Sequence, residues 1–146
     1  MDNVLFPSLY EEDYILRSLG SIVTQPDVAL TELVANAWDA GASHVTLSIP
    51  EEKNQLLYIE DDGVGMSELE FQHHWMTLRY NRLKEQGRNV IFPNGKKGNR
   101  CAFGRNGVGR HGLFCFGNEY KVITIKDGKK LTFKIKPNVE SQPFAV

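Results

Sequence analysis

The stretch ELVANAWDAGA, residues 32–42, decides how this chain is read. It closes a segment, Asp27 to Ala40, in which Leu30, Leu33, Val34 and Ala37 recur at helical spacing and give a helix one buried face. Pro26 and Asp27 suit its first turn, and Gly41 stops it. Glu32 and Asn36 are four residues apart and so share a face, and Asp39 projects nearby. A carboxylate and a carboxamide so placed can divide two tasks. Asn36 can offer an oxygen to a hard cation such as Mg²⁺, which keeps several waters. Glu32 can orient or deprotonate a water. Taken alone, the same residues read at least as well as the polar outer face of an amphipathic helix.

After this helix, His44 to Ile49 alternates like a strand, Gln55 to Glu60 is a second strand, and Glu51 to Asn54 makes the turn between them. The second strand runs into Glu60-Asp61-Asp62-Gly63-Val64-Gly65-Met66. Carboxylates beside two glycines let backbone approach a ligand closely, and one of them can accept from an exocyclic amine such as adenine N6. A plain Asp-Gly turn has the same appearance. Ser67 can then cap a helix, with Glu70 as its capping-box partner.

From Leu78 to Phe103 the periodicity fails, and seven of the thirteen glycines fall between Gly95 and Gly117. A loop this long in a compact domain is usually functional, often a lid. It offers few apolar anchors and is expected to be mobile when its pocket is empty. At its end lies Gly104-Arg105-Asn106-Gly107-Val108-Gly109-Arg110-His111-Gly112. Glycines that bare N–H groups at the start of a helix form an anion cradle. No Gly-Lys-Ser/Thr follows, so this is not a Walker A loop. Helix resumes from Gly109 to Phe116, and strands Glu119 to Lys126 and Lys130 to Lys136 close the chain around the turn Asp127-Gly128. A short helix around Glu11 to Leu19 precedes everything. This order points to an α+β fold, one sheet covered by helices, and not to a doubly wound parallel sheet.

Charge is divided along the 146 residues. Residues 1–78 carry 14 acidic and 2 basic side chains, and residues 79–146 carry 4 acidic and 15 basic. Nine basic residues lie between Arg79 and Arg110, opposed only by Glu85, and a field of that sign attracts phosphate. No apolar run reaches the roughly 20 residues of a membrane span. The opening MDNVLFPSLYEED lacks the basic and apolar regions of a secretory signal. Cys101 and Cys115 lack metal-ligand spacing and read as free thiols of a cytoplasmic protein.

Each cluster is modest alone, but their order and spacing together resemble the GHKL superfamily of DNA gyrase, the ninety-kilodalton heat-shock chaperone, histidine kinases and MutL. ELVANAWDAGASHVTLSI resembles the N-box helix and following strand, especially of the MutL-like branch. DDGVGM resembles the first glycine box and GRNGVGRHG the second, over a span from about Asp27 to Ile135. The resemblance implies a Bergerat-type two-layer α/β sandwich, with a mixed sheet covered on one face by helices and an ATP lid at about 78–107. It implies ATP and Mg²⁺ as ligands and ATP hydrolysis as the activity. Glu32 matches the general base, Asn36 the Mg²⁺ ligand, and Asp39 the acidic residue lining the nucleotide site. Asp61 matches the reader of adenine N6, Gly63 and Gly65 line the base and ribose, and Met66 packs on adenine. The segment Gly104, Arg105, Asn106, Gly107, Val108, Gly109, Arg110, His111 and Gly112 matches the lid end around the phosphates, with Lys97 as a further phosphate partner.

Residues 1–146 are expected to form one domain, an N-terminal fragment of a larger protein. The following domain that supplies a phosphate-sensing lysine in MutL-like and gyrase-like enzymes is not in this sequence. Lid closure is expected to drive homodimerisation or rearrangement of further domains, with DNA bound through the parent and no membrane involved. Two other functions fit less well. A histidine-kinase-like phosphotransfer domain would need an acceptor helix, and only 26 residues precede the helix. A basic nucleic-acid-binding module without ATPase activity would want closer aromatic spacing than Tyr80, Phe92 and Phe103 have. His73 and His74 point to different faces and suit a surface or lid-packing role better than metal binding. Trp38 is expected in the core or pocket wall, Phe114 and Phe116 in helix packing, and Pro143 and Phe144 in a tail leading elsewhere.

Overall fold

The computed structural model describes residues 14–96, 98–104, 107–137 and 144–145. The chain is α+β. Helix α1 (Tyr14–Leu19) runs into a 3-10 turn over Gly20–Val23, and the earlier part of the expected first helix lies outside the described residues. Helix α2 (Pro26–Asp39) starts on the proline, where the missing N–H costs nothing. It stops before Gly41, which takes the left-handed φ of +74°. Its buried face is Ala29, Leu33, Ala35 and Ala37. The expected position Val34 stands exposed, and Ala29 takes the place where the Gly112 backbone comes close.

Strand β1 (Val45–Ser48) pairs antiparallel with β2 (Tyr58–Asp61), which begins later than expected and takes in Asp61. Strands β3 (Tyr120–Lys126) and β4 (Lys129–Pro137) pair through a two-residue turn. Asp127 and Gly128 there both have positive φ, 51° and 74°, as a turn matched to strand twist requires. The expected tail is in part a strand: β5 (Phe144–Ala145) pairs with Lys136 and Pro137, while Pro143 lies outside the described residues. The expected single mixed sheet is corrected. Among the described residues every pairing is antiparallel, in two sheets ordered β1-β2 and β3-β4-β5. Neighbouring strands are joined by direct returns, and a parallel pair would need a long crossover. The sheets meet through the segment after β2, where the Met66 amide donates to Thr124 Oγ1 at 2.7 Å.

Ser67 caps α3 (Glu68–Glu70) in the expected capping box: Ser67 Oγ accepts from the Glu70 amide, and Glu70 Oε2 accepts from the Ser67 amide at 2.7 Å. A wider turn over Phe71–Trp75 follows and carries both aromatic rings toward the core. The core gathers Leu19, Phe71, Phe114, Tyr120 and Ile135, with Phe133 stacked on Phe71 and Phe114 edge-on to Tyr120. Tyr120, Thr124 and Ile135 face inward, and Ile123 and Ile125 face out.

The segment expected to be lid is less bare than its sequence suggests. It holds helix α4 (Arg82–Gln86), capped by Asn81, and a bridge between Asn89 and Cys101. Tyr80 and Val90 are buried, while Leu83, Ile91 and Phe103 stay exposed. Cys101 and Cys115 are both free thiols.

Glu70 also receives Lys126 from β3, with Nζ 2.7 Å from Oε2. Burial pushes the Glu70 carboxyl up, but the bonds from Lys126 and Ser67 outweigh it and hold it at about 2, against an ordinary 4.5. A carboxyl with a depressed folded-state pKa adds stability above its unfolded value and loses it as pH falls. Glu70→Gln should therefore unfold at lower denaturant than wild type above pH 4.5, with the gap closing as pH falls toward 2, measured by urea titration at stepped pH.

Candidate functional site

Helix α2 organises the site. Asp39, in its last turn, accepts from the Phe103 amide at Oδ1 (2.7 Å) and from the Gly104 amide at Oδ2 (2.8 Å). The buried Arg82 stands 3.7 Å from the same Oδ2 and donates to the Asp39 carbonyl. Asp39 thus ties the end of the 78–104 segment to the helix. One turn earlier, the Asn36 carboxamide nitrogen is buried with no hydrogen-bond partner. One turn before that, Glu32 lies under Gly109, where a Cβ would fall on Glu32 Oε2. Gly109 begins the helix expected there, a 3-10 helix over Gly109–Cys115, and Gly112 in it lies against the Ala29 backbone.

The acidic triplet after β2 divides its work. Asp62 Oδ1 accepts from the amides of Ser43 (2.6 Å) and His44 (2.8 Å), and its other oxygen lies 3.3 Å from His44 Nδ1. The His44 amide is the largest cause holding Asp62 at about 2. Asp62 is therefore a loop anchor. Asp61 Oδ1 accepts from the Gly63 amide at 2.8 Å and closes a tight turn, leaving the exposed carboxylate at the end of β2. Val64 donates to the Ala40 carbonyl at 2.9 Å, which brings this loop against the end of α2. Gly65, with φ +65°, passes so close to the Ile125 carbonyl that a Cβ would strike it. Met66 is held by Thr124.

The second glycine cluster is placed in part. Gly104 meets Asp39, Gly109 meets Glu32, and Val108 packs against the core. Gly107 has φ +58°. His111 lies in the core, its Nδ1 2.8 Å from the Tyr120 hydroxyl, and its amide donates to Val108. Burial first, then Arg110, lower its pKa to about 3, so the ring is neutral at physiological pH. Lys97, Arg105 and Asn106 lie outside the described residues.

Sequence reasoning missed four residues. Thr124 is a buried polar residue on the inward face of β3, a break in an otherwise apolar row that could have marked it. Arg100 donates to the Trp38 carbonyl (3.2 Å) and the Ala42 carbonyl (2.8 Å), and its guanidinium lies over the rings of Trp38 and Phe92. Arg82 and Tyr120 carried no separate signal. Trp38 is half-exposed, not core, and its indole N–H donates to the Cys101 carbonyl at 2.9 Å. His73 is exposed and His74 is half-buried against Gln86 and Tyr80, a packing role for the second of the pair.

With these contacts, all three motif segments bear on α2, and residues 23–143 match the family described as histidine kinase-, DNA gyrase B- and HSP90-like ATPases. The chain belongs to this family. Its MutL-like character shows among its relatives. The MutL mismatch repair protein of Prosthecochloris aestuarii is 47% identical over 51 residues, 35% of this chain and 8% of that protein. The MutL of Parabacteroides distasonis is 39% identical over 68 residues, 42% of this chain and 11% of that protein. A Herpetosiphon aurantiacus protein named "Putative type II restriction enzyme HgiDII" is 32% identical over 97 residues, 66% of this chain and 14% of that protein. The chain thus aligns with a small part of the length of these relatives. GHKL membership carries ATP binding in the general sense that the family name states. Among the described residues no helix is long and apolar enough to cross a membrane.

Two substitutions test the geometry. Gly109→Ala drives a methyl into Glu32 and should lower the melting temperature by about 3–10 °C, the effect of an overpacked contact costing about 1–3 kcal/mol. Gly117→Ala, with only ordinary contact at 3.6 Å, should leave it unchanged in the same calorimetric scan. Arg100→Ala removes two carbonyl bonds and two ring contacts. Amide exchange at Val90 and Ala102 should then quicken about ten-fold, read by hydrogen exchange.

Proposed function

We propose that this chain binds and hydrolyses Mg²⁺-ATP in a slot between α2 and the two glycine segments, as one Bergerat-type sandwich domain over residues 1–146. The observation that carries this reading is the convergence on one helix end and face of the first glycine segment, through the Val64 amide on the Ala40 carbonyl, Gly104 through Asp39, and Gly109 through Glu32. Residues 78–107 act as the lid, tied at Asp39.

The proposed chemistry needs little covalent help from the protein. Asp61 accepts from the adenine amine, Gly63 and Gly65 keep side chains away from base and ribose, and Met66 packs on the ring. The glycine segment Gly104 to Gly112 offers its backbone to the phosphates. Mg²⁺, when bound, neutralises charge on the terminal phosphates. Among the described residues no group of three His, Cys, Asp or Glu side chains could hold a metal alone. Mg²⁺ carried by phosphates asks the protein for only one or two oxygens, and the Asn36 carboxamide oxygen would supply one, while its Nδ2 is buried without a partner among the described residues. Glu32 takes a proton from water as that water attacks the γ-phosphoryl group in line and ADP leaves. Catalysis comes from positioning and charge stabilisation.

In the parent protein we propose that lid closure couples ATP to homodimerisation or to movement of further domains. The names of the relatives, a restriction enzyme and mismatch repair proteins, favour a DNA-acting parent over other machinery.

The test is calorimetric ATP titration with phosphate release in parallel. Asp61→Asn should abolish binding. Glu32→Ala should keep binding and lose hydrolysis by about 10²-fold or more, the scale of a general base. If neither substitution alters either signal, the site is elsewhere. Phosphate passed to a histidine would favour the kinase-like reading, and salt-sensitive nucleic-acid binding without any nucleotide effect the basic-module reading.

A further inference from the structure

The hairpin β3-β4 carries a charge pattern that the nucleotide slot does not use. Residues 120–137 hold six lysines and one acid, Asp127 in the turn. Strand alternation sends Tyr120, Val122 and Thr124 inward with their partners Ile135, Phe133 and Leu131. It leaves Lys121, Ile123 and Ile125 on the outer face, opposite Lys134, Thr132 and Lys130, with Lys136 at the end of the β4 row. All seven are exposed, Ile123 by 58% and Ile125 by 61%. Lys121 and Lys134 stand directly opposite each other, a like-charge pair that weakens a sheet. Lys134 has the exposed Glu119 at 2.8 Å, a surface pair that exchanges readily for another anion. Among the described residues Lys121, Lys130 and Lys136 have no ion-pair partner, whereas Lys126, on the inner side, is taken by Glu70.

The spacing of the face selects its partner. At about 3.4 Å per residue, the Lys121–Lys134 row stands about 14 Å from the row of Ile125 and Lys130. Between the two rows lie Ile123 and Thr132. The major groove of B-form DNA is about 12 Å wide, is walled by phosphates and admits a two-stranded β-ribbon. Lysines at both borders meet its two walls, and the isoleucine and threonine methyls meet base edges, where thymine offers a methyl group. A-form RNA has a deep, narrow major groove that shuts such a ribbon out. A bilayer fits the face poorly. Lysine stems reach past isoleucine methyls, so the charges meet the lipid first and hold the apolar groups out of it. The outer face is also turned away from the slot, since Thr124, on the inner side of the same strand, holds Met66.

We propose that the outer face of the β3-β4 hairpin binds duplex DNA in its major groove, with Lys121, Lys130, Lys134 and Lys136 on phosphates and Ile123, Ile125 and Thr132 toward the bases. This surface works independently of the nucleotide slot and can be occupied at the same time.

The full chain is titrated into a fluorescent DNA duplex without nucleotide, and anisotropy is read from about 50 to 200 mM salt. Four phosphate contacts give a slope of about −3.6 in log affinity against log salt, a loss of about 150-fold over that range. Lys121→Gln, Lys130→Gln and Lys136→Gln should each flatten the slope by about 0.9. Ile123→Ala should lower affinity several-fold at unchanged slope. Lys121→Gln should melt no lower than wild type, because a like-charge pair is gone. Mg²⁺-ATP titration should be unchanged in all of these variants. An RNA duplex of the same sequence should bind at least about ten-fold more weakly. Lys84→Gln and Lys96→Gln, in the 78–107 segment, should leave the DNA slope at its wild-type value. Binding that follows Lys84 and Lys96 instead of the hairpin lysines overturns the proposal, as does an absence of duplex binding by wild type. Equal, hairpin-lysine-dependent binding of the RNA duplex, polyglutamate or phosphatidylserine vesicles also overturns it and makes the face a general anion patch. If Mg²⁺-ATP does not bind while DNA binding keeps its dependence on the hairpin lysines, the nucleotide reading falls and the DNA surface stands.

Discussion

The structure depends on one steric constraint: backbone crosses α2 where no side chain can stand. Gly109 rests on Glu32 and Gly112 on the Ala29 backbone, so the 3-10 helix that begins there reaches α2 at main-chain distance. That approach explains the small residue Ala29 on the buried face of α2. It also explains why Glu32 is half-buried under Gly109 instead of in open solvent. Gly65 makes the same kind of contact on the other side, against the Ile125 carbonyl, and brings the first glycine segment onto β3. Packing at this distance tolerates no added methyl without displacing neighbours.

Around that crossing, charge is used for fastening as much as for chemistry. Arg82 and Arg100 both reach the C-terminal end of α2, where unsatisfied carbonyls and the negative end of the helix dipole favour cations. Asp39 answers from the helix with its two carboxylate oxygens on the amides of Phe103 and Gly104. A basic segment that looks like one phosphate-attracting field is therefore divided among roles. Two of its arginines fasten the 78–104 segment to α2, Arg110 is buried without a counterion among the described residues, and Arg79, Lys84, Arg88 and Lys96 remain exposed.

Much of the fold was readable from local chemistry. Pro26 and Gly41 bound α2, Ser67 and Glu70 form their capping box, and Asp127-Gly128 turns β3 into β4, because each depends on the backbone preferences of residues close in sequence. The same locality explains the errors. The periodicity of Leu30, Leu33 and Val34 was ambiguous by one position until the partner surface was known. The expected mixed sheet differs from the antiparallel pairings of the described residues, because strand partners are chosen by residues far away in the chain.

The sequence alone determined the kind of chemistry: an acid and an amide one helical turn apart, a carboxylate beside paired glycines, and a glycine-rich basic segment, in that order, in a family member. Only the tertiary structure decided which groups are available for it. Asp62 turns back to the Ser43 and His44 amides while Asp61 stays exposed. Asp39 is taken by Phe103 and Gly104, and Arg110 is buried while Arg82 finds a partner. The physical reason is that a residue's type sets which bonds it can make. Which of them it does make depends on partners some 20 to 65 positions away, and folding alone brings those within about 3 Å.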